Sequence, residues 1–371
     1  MSQAPGRTQR KANQATASPR LVWEIGTAYD FFMSLEVLYH PDEYGLRASW
    51  AAGVRSRLPA AERKMLEDIQ HFLWLPLHWI GGLPAPKDAA SVLWALRQIP
   101  ADQRPLRMTN PYETPPAIFA ALQRVVENRA WDANDLDVFK SFLGACKKGH
   151  LVKCCDVYLD WFSRPEEMGE LYLSALQAYY HAFFAEEEKR IAPILREGLA
   201  QAQELAERLP LLDLLAELSQ GVHFEKDFSA AEIVLIPGYW NTPLVVFPKV
   251  GSESMAFMFG VRPADMSLVP GEPVPDALLR VLKALADPTR LRILRYLNEE
   301  TLTPAQLSRK LRLRAPTVTH HLQAMRLAGL VHIIIEEGED KGYTSRLDAI
   351  QAAFKNLESY LTSDHPEGGE G

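Results

Sequence analysis

The sequence of 371 residues contains only three cysteines and no long uninterrupted apolar run. Three cysteines in a chain of this length do not make a disulfide framework, and their odd number favours a reducing compartment. The longest apolar candidate, residues 72–83, has about a dozen residues and includes Pro76, so it is too short to cross a bilayer. Residues 1–20 are polar and lack the apolar core of a signal peptide. These absences predict a cytoplasmic protein with no membrane partner.

The sequence also lacks the short motifs that accompany several common enzyme chemistries. It contains no phosphate-cradling GxxxxGK(S/T), no GxGxxG after a strand, no GxSxG and no HExxH. We therefore predict that the protein is not an enzyme and holds no cofactor. Carboxylates that are distant in sequence can still converge in a fold, so an enzymatic activity stays open as an alternative.

Charge is distributed unevenly along the chain. The net charge is −7, yet residues 274–350 contain 12 Lys and Arg against 9 Asp and Glu, which gives this segment a charge of +3. The remainder holds 28 cations and 38 acids, or −10. A chain of this length predicts at least two domains, and the acidic one is expected to be repelled by nucleic acid.

The segment 314–329 has the pattern of one amphipathic helix. Pro316 has the fixed φ of a first helical turn, and Gly329 suits the left-handed position after a helix. Val318, Leu322 and Met325 recur at i, i+4 and i+7 and predict a buried stripe. The other faces carry hydrogen-bonding and cationic side chains without a carboxylate: Thr317, Thr319, His320, Gln323 and Arg326. Such a face suits the DNA major groove, where these groups can meet base edges and phosphates.

The flanking segments predict that this helix belongs to a winged helix. Thr303 and Pro304 are typical of the N-cap and first turn of a preceding helix, and Asp287-Pro288 begins an earlier one. Downstream, residues 331–348 contain a β-branched run, a polar turn and a second short strand, which predicts a β-hairpin. Between residues 301 and 335 the chain has five cations and no acid: Arg309, Lys310, Arg312, Arg314 and Arg326. Phosphate binding needs such a local excess of cations.

The runs KALADPTRLRILRYL and TPAQLSRKLRLRAPTVTHHLQAMRLAGLV resemble the ArsR family of bacterial winged-helix transcriptional regulators over roughly residues 275–362. The resemblance implies a homodimer that binds double-stranded DNA at an operator, most often as a repressor. It implies dimer contacts from residues 276–286 and 349–362. It also implies base-reading positions at Arg314, Thr317, Thr319, His320 and Gln323, and wing positions at Lys341 and Arg346.

The chain departs from the metal-sensing members of that family. Their Cys-x-Cys pair before the turn has no counterpart, because residues 302–311 contain neither cysteine nor histidine. The last helix offers only Asp348 and Glu358. A metal effector is therefore not carried over, and the expected small-molecule effector stays unidentified. A winged-helix scaffold for protein interaction, or a small-molecule-binding protein with an appended DNA-binding domain, stays open as an alternative function.

The rest of the chain predicts a mainly α protein. Residues 1–20 are expected to form a disordered arm, residues 21–268 a helical sensor or interaction domain, and residues 269–275 an extended linker. Within the large domain, a helix is expected over residues 167–208, and the β-rich runs of 231–261 predict a small antiparallel sheet. The winged helix then covers 276–362, and 363–371 form a disordered tail. The runs AYDFFMSLEVLYHPDEYGLRASW and EIVLIPGYWNTPLVVF resemble an N-terminal region fused to some ArsR-type regulators, which implies no ligand.

One cluster of potential metal ligands occurs in CKKGHLVKCC. Cys146, His150 and Cys154 would share a helix face, with Cys155 adjacent, and soft metals favour such ligands. Gly149 weakens the helix, the neighbouring lysines repel a cation, and free cysteine is often a small buried apolar residue. We predict no metal site here.

Overall fold

The computed structural model describes residues 19–70, 72–73, 75–145, 154–224, 230–268, 274–335 and 341–362. The predicted mainly α class is confirmed. The helices of the N-terminal region are α1 Thr27–Tyr39, α2 Ala48–Arg55, α3 Ala60–Ile69, α4 Leu77–Gly81, α5 Ala89–Gln98, α6 Arg104–Met108, α7 Pro116–Asn128, α8 Ala133–Ala145, α9 Cys155–Phe162, α10 Pro165–Tyr179, α11 Ala185–Ala206 and α12 Leu211–Leu218. None of the helices in these ranges is long and apolar enough to cross a bilayer.

The N-terminal region is organised around α1, which is buried on nearly every side. The Phe31 ring lies 5.1 Å from that of Phe184 and 5.6 Å from that of Tyr179, measured between centroids. A helix that is apolar all round belongs in the middle of a domain, because no face of it gains from contact with water. Helices α10 and α11 flank it and are joined by a π-helical turn, Tyr180–Phe184. The long helix expected over 167–208 is therefore present with this π turn inside it.

Four strands belong to the N-terminal region: β1 Arg20–Trp23, β2 Val222–Phe224, β3 Glu232–Gly238 and β4 Ser254–Gly260. Strands β1, β3 and β4 form one sheet in that order, and both pairings are parallel. The predicted antiparallel direction is wrong for these strands. The apolar runs of β3 and β4 are nearly continuous, which suits parallel strands buried on both faces. Two antiparallel bridges join the connection between β3 and β4 to β4 itself: Val246 pairs with Met258, and Lys249 pairs with Met255.

The C-terminal part has the element order of the predicted winged helix. Its helices are α13 Asp276–Leu285, α14 Pro288–Glu299, α15 Pro304–Leu311, α16 Ala315–Leu327 and α17 Leu347–Thr362, and its hairpin is β5 Val331–Ile335 with β6 Gly342–Ser345. A separate apolar core holds these elements together, with Ile293, Leu307 and Leu322 at its centre. Two helix starts are capped as their sequences predict. The Asp287 carboxylate accepts from two backbone N–H groups, and Thr303 forms a capping box with Gln306.

The two parts of the chain share a second sheet that the sequence did not predict. Strand β2 pairs in parallel with β5 of the hairpin, so the sheet order is β2-β5-β6. The backbone N–H of Ile333 donates to the Gly221 carbonyl at 2.8 Å. The structure also begins β1 at Arg20, the last residue of the predicted arm. Residues 1–18, 269–273 and 363–371 lie outside the described ranges, so the predicted arm, most of the linker and the tail stay predictions.

Candidate nucleic-acid interface

Helix α16 divides its residues between a core face and a solvent face. Val318, Leu322 and Met325 are buried against the winged-helix core. The solvent face carries the side chains that the sequence singled out for base reading, and all five are exposed: Arg314, Thr317, Thr319, His320 and Gln323. The Thr319 hydroxyl donates to the Ala315 carbonyl at 3.0 Å, which leaves its oxygen free to accept a hydrogen bond. The exposed face presents donors and acceptors along one side of a rigid helix.

The turn before α16 is held by side chain and backbone together. Arg312 ends α15 in the left-handed conformation, with φ of 57°, and its side chain is exposed. The Ser308 hydroxyl donates to the Leu313 carbonyl, and the Leu313 N–H donates back to the Ser308 carbonyl at 3.1 Å. This reciprocal pair fixes the angle between α15 and α16. The exposed face of α16 is therefore positioned by residues outside it.

Cations surround the exposed end of α16. Arg309 and Arg312 are exposed on α15 and in the turn, and Arg314 is exposed at the start of α16. Lys310 is partly neutralised, because its ammonium lies 2.8 Å from the Glu300 carboxylate, which raises the pKa of the lysine. The positive charge available to a phosphate backbone is thus concentrated on the arginines.

Two cations of the predicted set turn toward the N-terminal region. Arg326 is half-buried; burial lowers its pKa, while the nearby Tyr343 and Tyr44 act in the opposite direction. Arg346 donates through Nη1 to the Gln220 carbonyl, and its guanidinium lies 3.8 Å from Asp348. Lys341 is exposed beside the hairpin. DNA contact by any of these residues stays a prediction.

The junction at β2 was not predicted from the sequence. His223 on β2 and His332 on β5 meet with Nε2 and Nδ1 2.9 Å apart. Burial, then His223 and Arg346, lower the pKa of His332 to about 4. The only local signal is the short run VHF after Gly221, and three residues are too few to distinguish a strand from a turn.

Half of the predicted cysteine cluster can be placed. Cys154 is half-buried, and Cys155 is buried at the start of α9, where burial raises the pKa of its thiol to about 11. A thiol held in that form is a poor metal ligand. Cys146 and His150 lie outside the described residues. Within the described ranges no three Cys, His, Asp or Glu side chains stand together as a metal site, and the expected absence of a metal stays a prediction.

Comparison with known proteins identifies the C-terminal segment. A helix-turn-helix domain family matches residues 285–334, which begin at the end of α13 and end in β5. The HTH-type transcriptional regulators CmtR of Mycobacterium bovis and Mycobacterium tuberculosis are 43% identical to the chain over 68 residues. The match covers 18% of this chain and 57% of each regulator, so the chain spans little more than half the length of these curated relatives. The C-terminal part of the protein contains a helix-turn-helix domain that is similar in sequence to these regulators.

Proposed function

We propose that the protein is a sequence-specific DNA-binding transcriptional regulator that acts as a homodimeric repressor and responds to a ligand or partner of its N-terminal region. The observation that carries the proposal is the exposed face of α16, where Thr317, Thr319, His320 and Gln323 share a helix surface with Arg314. The helix-turn-helix match over residues 285–334 supports the same conclusion. The names of the similar regulators point to transcription as the process.

The chemistry of this face fits a major groove. Gln323 has the paired donor and acceptor that suit adenine, and Arg314 can meet the two acceptors of guanine or a phosphate. Thr319 and His320 each offer a hydrogen-bonding group that can meet a base edge. Arg309 and Arg312 lie beside the helix, where the phosphate backbone would pass. Each of these side chains is exposed and can therefore contact a base or a phosphate in the proposed complex.

An apolar stripe on α17 supports the homodimer. Leu347, Phe354 and Leu361 are 52%, 57% and 71% exposed and stand seven residues apart, so they lie on one face of the helix. Large apolar side chains repeated along an exposed helix favour burial against a second copy. A twofold dimer would present two copies of α16 to a roughly palindromic operator.

The junction provides a physical route for regulation. The winged helix is held against the N-terminal region by the β2–β5 pairing and by Arg346 on the Gln220 carbonyl. In addition, Arg280 of α13 approaches the Tyr44 carbonyl at 3.4 Å. A ligand that binds differently to two arrangements of this junction would change the spacing of the two DNA-binding heads.

The test begins with selection of a preferred sequence from random double-stranded DNA by the full chain. Fluorescence anisotropy then measures affinity across a range of salt concentrations. We expect Arg314→Ala to lower affinity by about tenfold and to reduce the salt slope by about one. Thr319→Ala and His320→Ala are expected to change the preferred bases and to leave the salt slope near its original value.

Arg208→Ala is the matched control, because Arg208 is an exposed arginine beyond the end of α11, far along the chain from the winged helix. It should change neither affinity nor slope. Unchanged DNA binding in Arg314→Ala, Arg326→Ala, Thr319→Ala and His320→Ala alike would show that α16 is not the groove-binding element. An absence of selected DNA at low salt would favour the protein-interaction scaffold, and turnover or a retained cofactor without DNA would favour an enzyme.

A further inference from the structure

A cleft lies where the N-terminal region meets the winged helix. Its volume is about 630 Å³, within the range of small-molecule sites. Residues of α11, α12 and the end of β4 form its walls, and Arg346, between β6 and α17, closes it from the winged-helix side. Any occupant of the cleft would touch both parts of the chain.

The walls combine an apolar surface with charged groups of both signs. Leu218 and Val261 are apolar residues of the lining, and Arg262 and Arg346 are cationic ones. Two carboxylates, Glu197 and Glu217, stand at exposed positions of the same cleft. The paired signs suit a ligand with a single negative charge and disfavour a polyanion, which the carboxylates would repel.

Arg262 is a buried cation with no carboxylate of the described ranges at ion-pair distance. It is only 6% exposed, and one guanidinium nitrogen, Nη2, donates to the Thr242 carbonyl at 3.0 Å. Its Nη1 has no hydrogen-bond partner among the described residues. Contact with the Tyr239 ring, at 5.6 Å from its centroid, offsets the charge only in part. Burial, then the nearby Arg280, lower the pKa of Arg262 to about 10.

Arg346 has spare hydrogen-bonding capacity at the same cleft. Its Nη1 is used by the Gln220 carbonyl, while its Nε is buried and has no partner among the described residues. The nearest carboxylate, Asp348, is 75% exposed and 3.8 Å away, so it neutralises Arg346 weakly. Two arginines of one cleft lining therefore each have a guanidinium nitrogen without an acceptor among the described residues.

We propose that this cleft binds a small monocarboxylate with an apolar body, with the carboxylate on the side of Arg262 and Arg346 and the apolar body against Leu218 and Val261. A carboxylate supplies the acceptors and the negative charge that the two arginines lack. Because Arg346 also holds the Gln220 carbonyl beside β2, bound ligand would strengthen or weaken the β2–β5 junction. The effect on DNA affinity rests on the proposed function, whereas the binding itself does not.

The test uses calorimetric titration of the full chain with two probe pairs, octanoate with octanamide and benzoate with benzamide. Each amide has the shape of its carboxylate without the charge. We expect saturable binding of at least one carboxylate per chain and at least about tenfold weaker binding of the matching amide. Equal binding of acid and amide, or no saturable binding of either carboxylate at millimolar concentrations, would overturn the proposal.

Substitutions distinguish the loss of the proposed carboxylate contacts from a general loss of folding. Arg262→Gln is expected to weaken carboxylate binding by at least about tenfold. Glu217→Gln removes a repelling charge at an exposed position, so it is expected to tighten binding by about twofold, an outcome that misfolding cannot produce. Glu127→Gln on α7 is the matched control and should leave affinity unchanged. Unaltered affinity in both Arg262→Gln and Glu217→Gln would place any bound carboxylate elsewhere.

DNA measurements then distinguish this proposal from the proposed function. If the variants change carboxylate binding as expected but the chain selects no DNA, the carboxylate site is supported and the proposed DNA-binding function is contradicted. If the chain selects DNA but binds no carboxylate, the proposed function is supported and the carboxylate site is contradicted. When both are present, we expect the bound carboxylate to change the affinity for the selected DNA at least about threefold, and Arg346→Gln to abolish that change.

Discussion

The two parts of the molecule treat their polar side chains in opposite ways. In the winged helix, the groups of interest are exposed and lie within ten residues of one another, from Arg314 to Gln323. In the N-terminal region they are buried and joined over long distances along the chain. Asp30 accepts from the backbone N–H groups of Tyr239 and Trp240 at 2.9 and 2.8 Å. A local face is readable from a sequence pattern, whereas a buried long-range contact is not.

The burial of Asp30 illustrates the cost of the second arrangement. Its carboxylate is inaccessible to solvent, and Oδ2 has no hydrogen-bond partner in the described structure. Burial, opposed by the two N–H donors, raises the pKa of Asp30 to about 7. The N-terminal region thus carries titratable chemistry in its core, while α16 keeps the polar groups from Arg314 to Gln323 at exposed positions.

The largest expected effect comes from the core face of α16. Leu322 is 1% exposed, so Leu322→Ala should reduce the stability of the winged helix by about 3 kcal/mol through lost burial and a cavity. Its exposed neighbour is the control, since Gln323→Ala should cost less than about 0.5 kcal/mol while altering base preference. Hydrogen exchange of the α16 amides, followed by mass spectrometry, measures the loss of stability in both variants. Equal destabilisation by the two variants would show that α16 has no distinct solvent face.

A smaller effect is expected at the buried carboxylate of the N-terminal region. The folded-state pKa of Asp30 is raised, so the folded state binds more protons than the unfolded state between about pH 4 and 7, and this group lowers stability as pH rises. Asp30→Asn keeps an acceptor for the two N–H groups and cannot ionise. The free energy of unfolding of Asp30→Asn, relative to that of the wild type, should therefore be about 2 kcal/mol higher at pH 8 than at pH 5.

Tryptophan fluorescence during denaturant unfolding follows this change, because all eight tryptophans precede the winged helix. Asp213→Asn on α12 is the control, since Asp213 is an exposed carboxylate in the first turn of a helix. A pH profile of Asp30→Asn that parallels the wild type would mean that Asp30 is ionised in the folded protein across this range.

The smallest expected effect lies at the boundary between the two parts. The folded-state pKa of His332 is lowered, so the unfolded state binds more protons between about pH 4 and 6.5, and stability falls as pH drops through that window. Because His332 is only half-buried, we expect the wild type to lose about 1 kcal/mol relative to His332→Gln between pH 7 and 5.

Exchange of the Ile333 amide, which donates to the Gly221 carbonyl, reports this loss once the intrinsic pH dependence of exchange is subtracted. His320→Gln, at an exposed position outside the β2–β5 pairing, is the control. A wild-type profile that matches His332→Gln would show that the histidine pair does not couple the strands to pH.

Much of the winged helix was accessible from local pattern. The cap at Thr303 and the stripe of Val318, Leu322 and Met325 each involve residues that are near one another in sequence. The predicted polar turn of the hairpin lies largely in residues 336–340, outside the described residues. Helix bounds and buried faces in the winged helix follow from periods of 3.6 and 2 and from capping chemistry. The exposed face of α16 follows from the same periodicity, because helix residues that lie outside the buried stripe face solvent.

The N-terminal sheet was predicted in position and wrong in direction. The apolar runs that became β3 and β4 were recognised, but strand direction depends on the path of the connection between them, which no local pattern records. Strand β1 was missed because its four residues become a strand only by pairing with β3, more than 200 residues later in the chain. The same reason hides β2, whose partner is in the winged helix.

The sequence by itself determined the mainly α class and the exposed, cationic face of one helix, because both depend on periodicity and capping within single elements. Only the tertiary structure decided that the hairpin gains a third strand, that Arg346 turns to Gln220, and that Arg262 lies buried beside a cleft at the junction. Those features arise from side chains and strands brought together by long-range packing, whose partners cannot be identified from spacing along the chain.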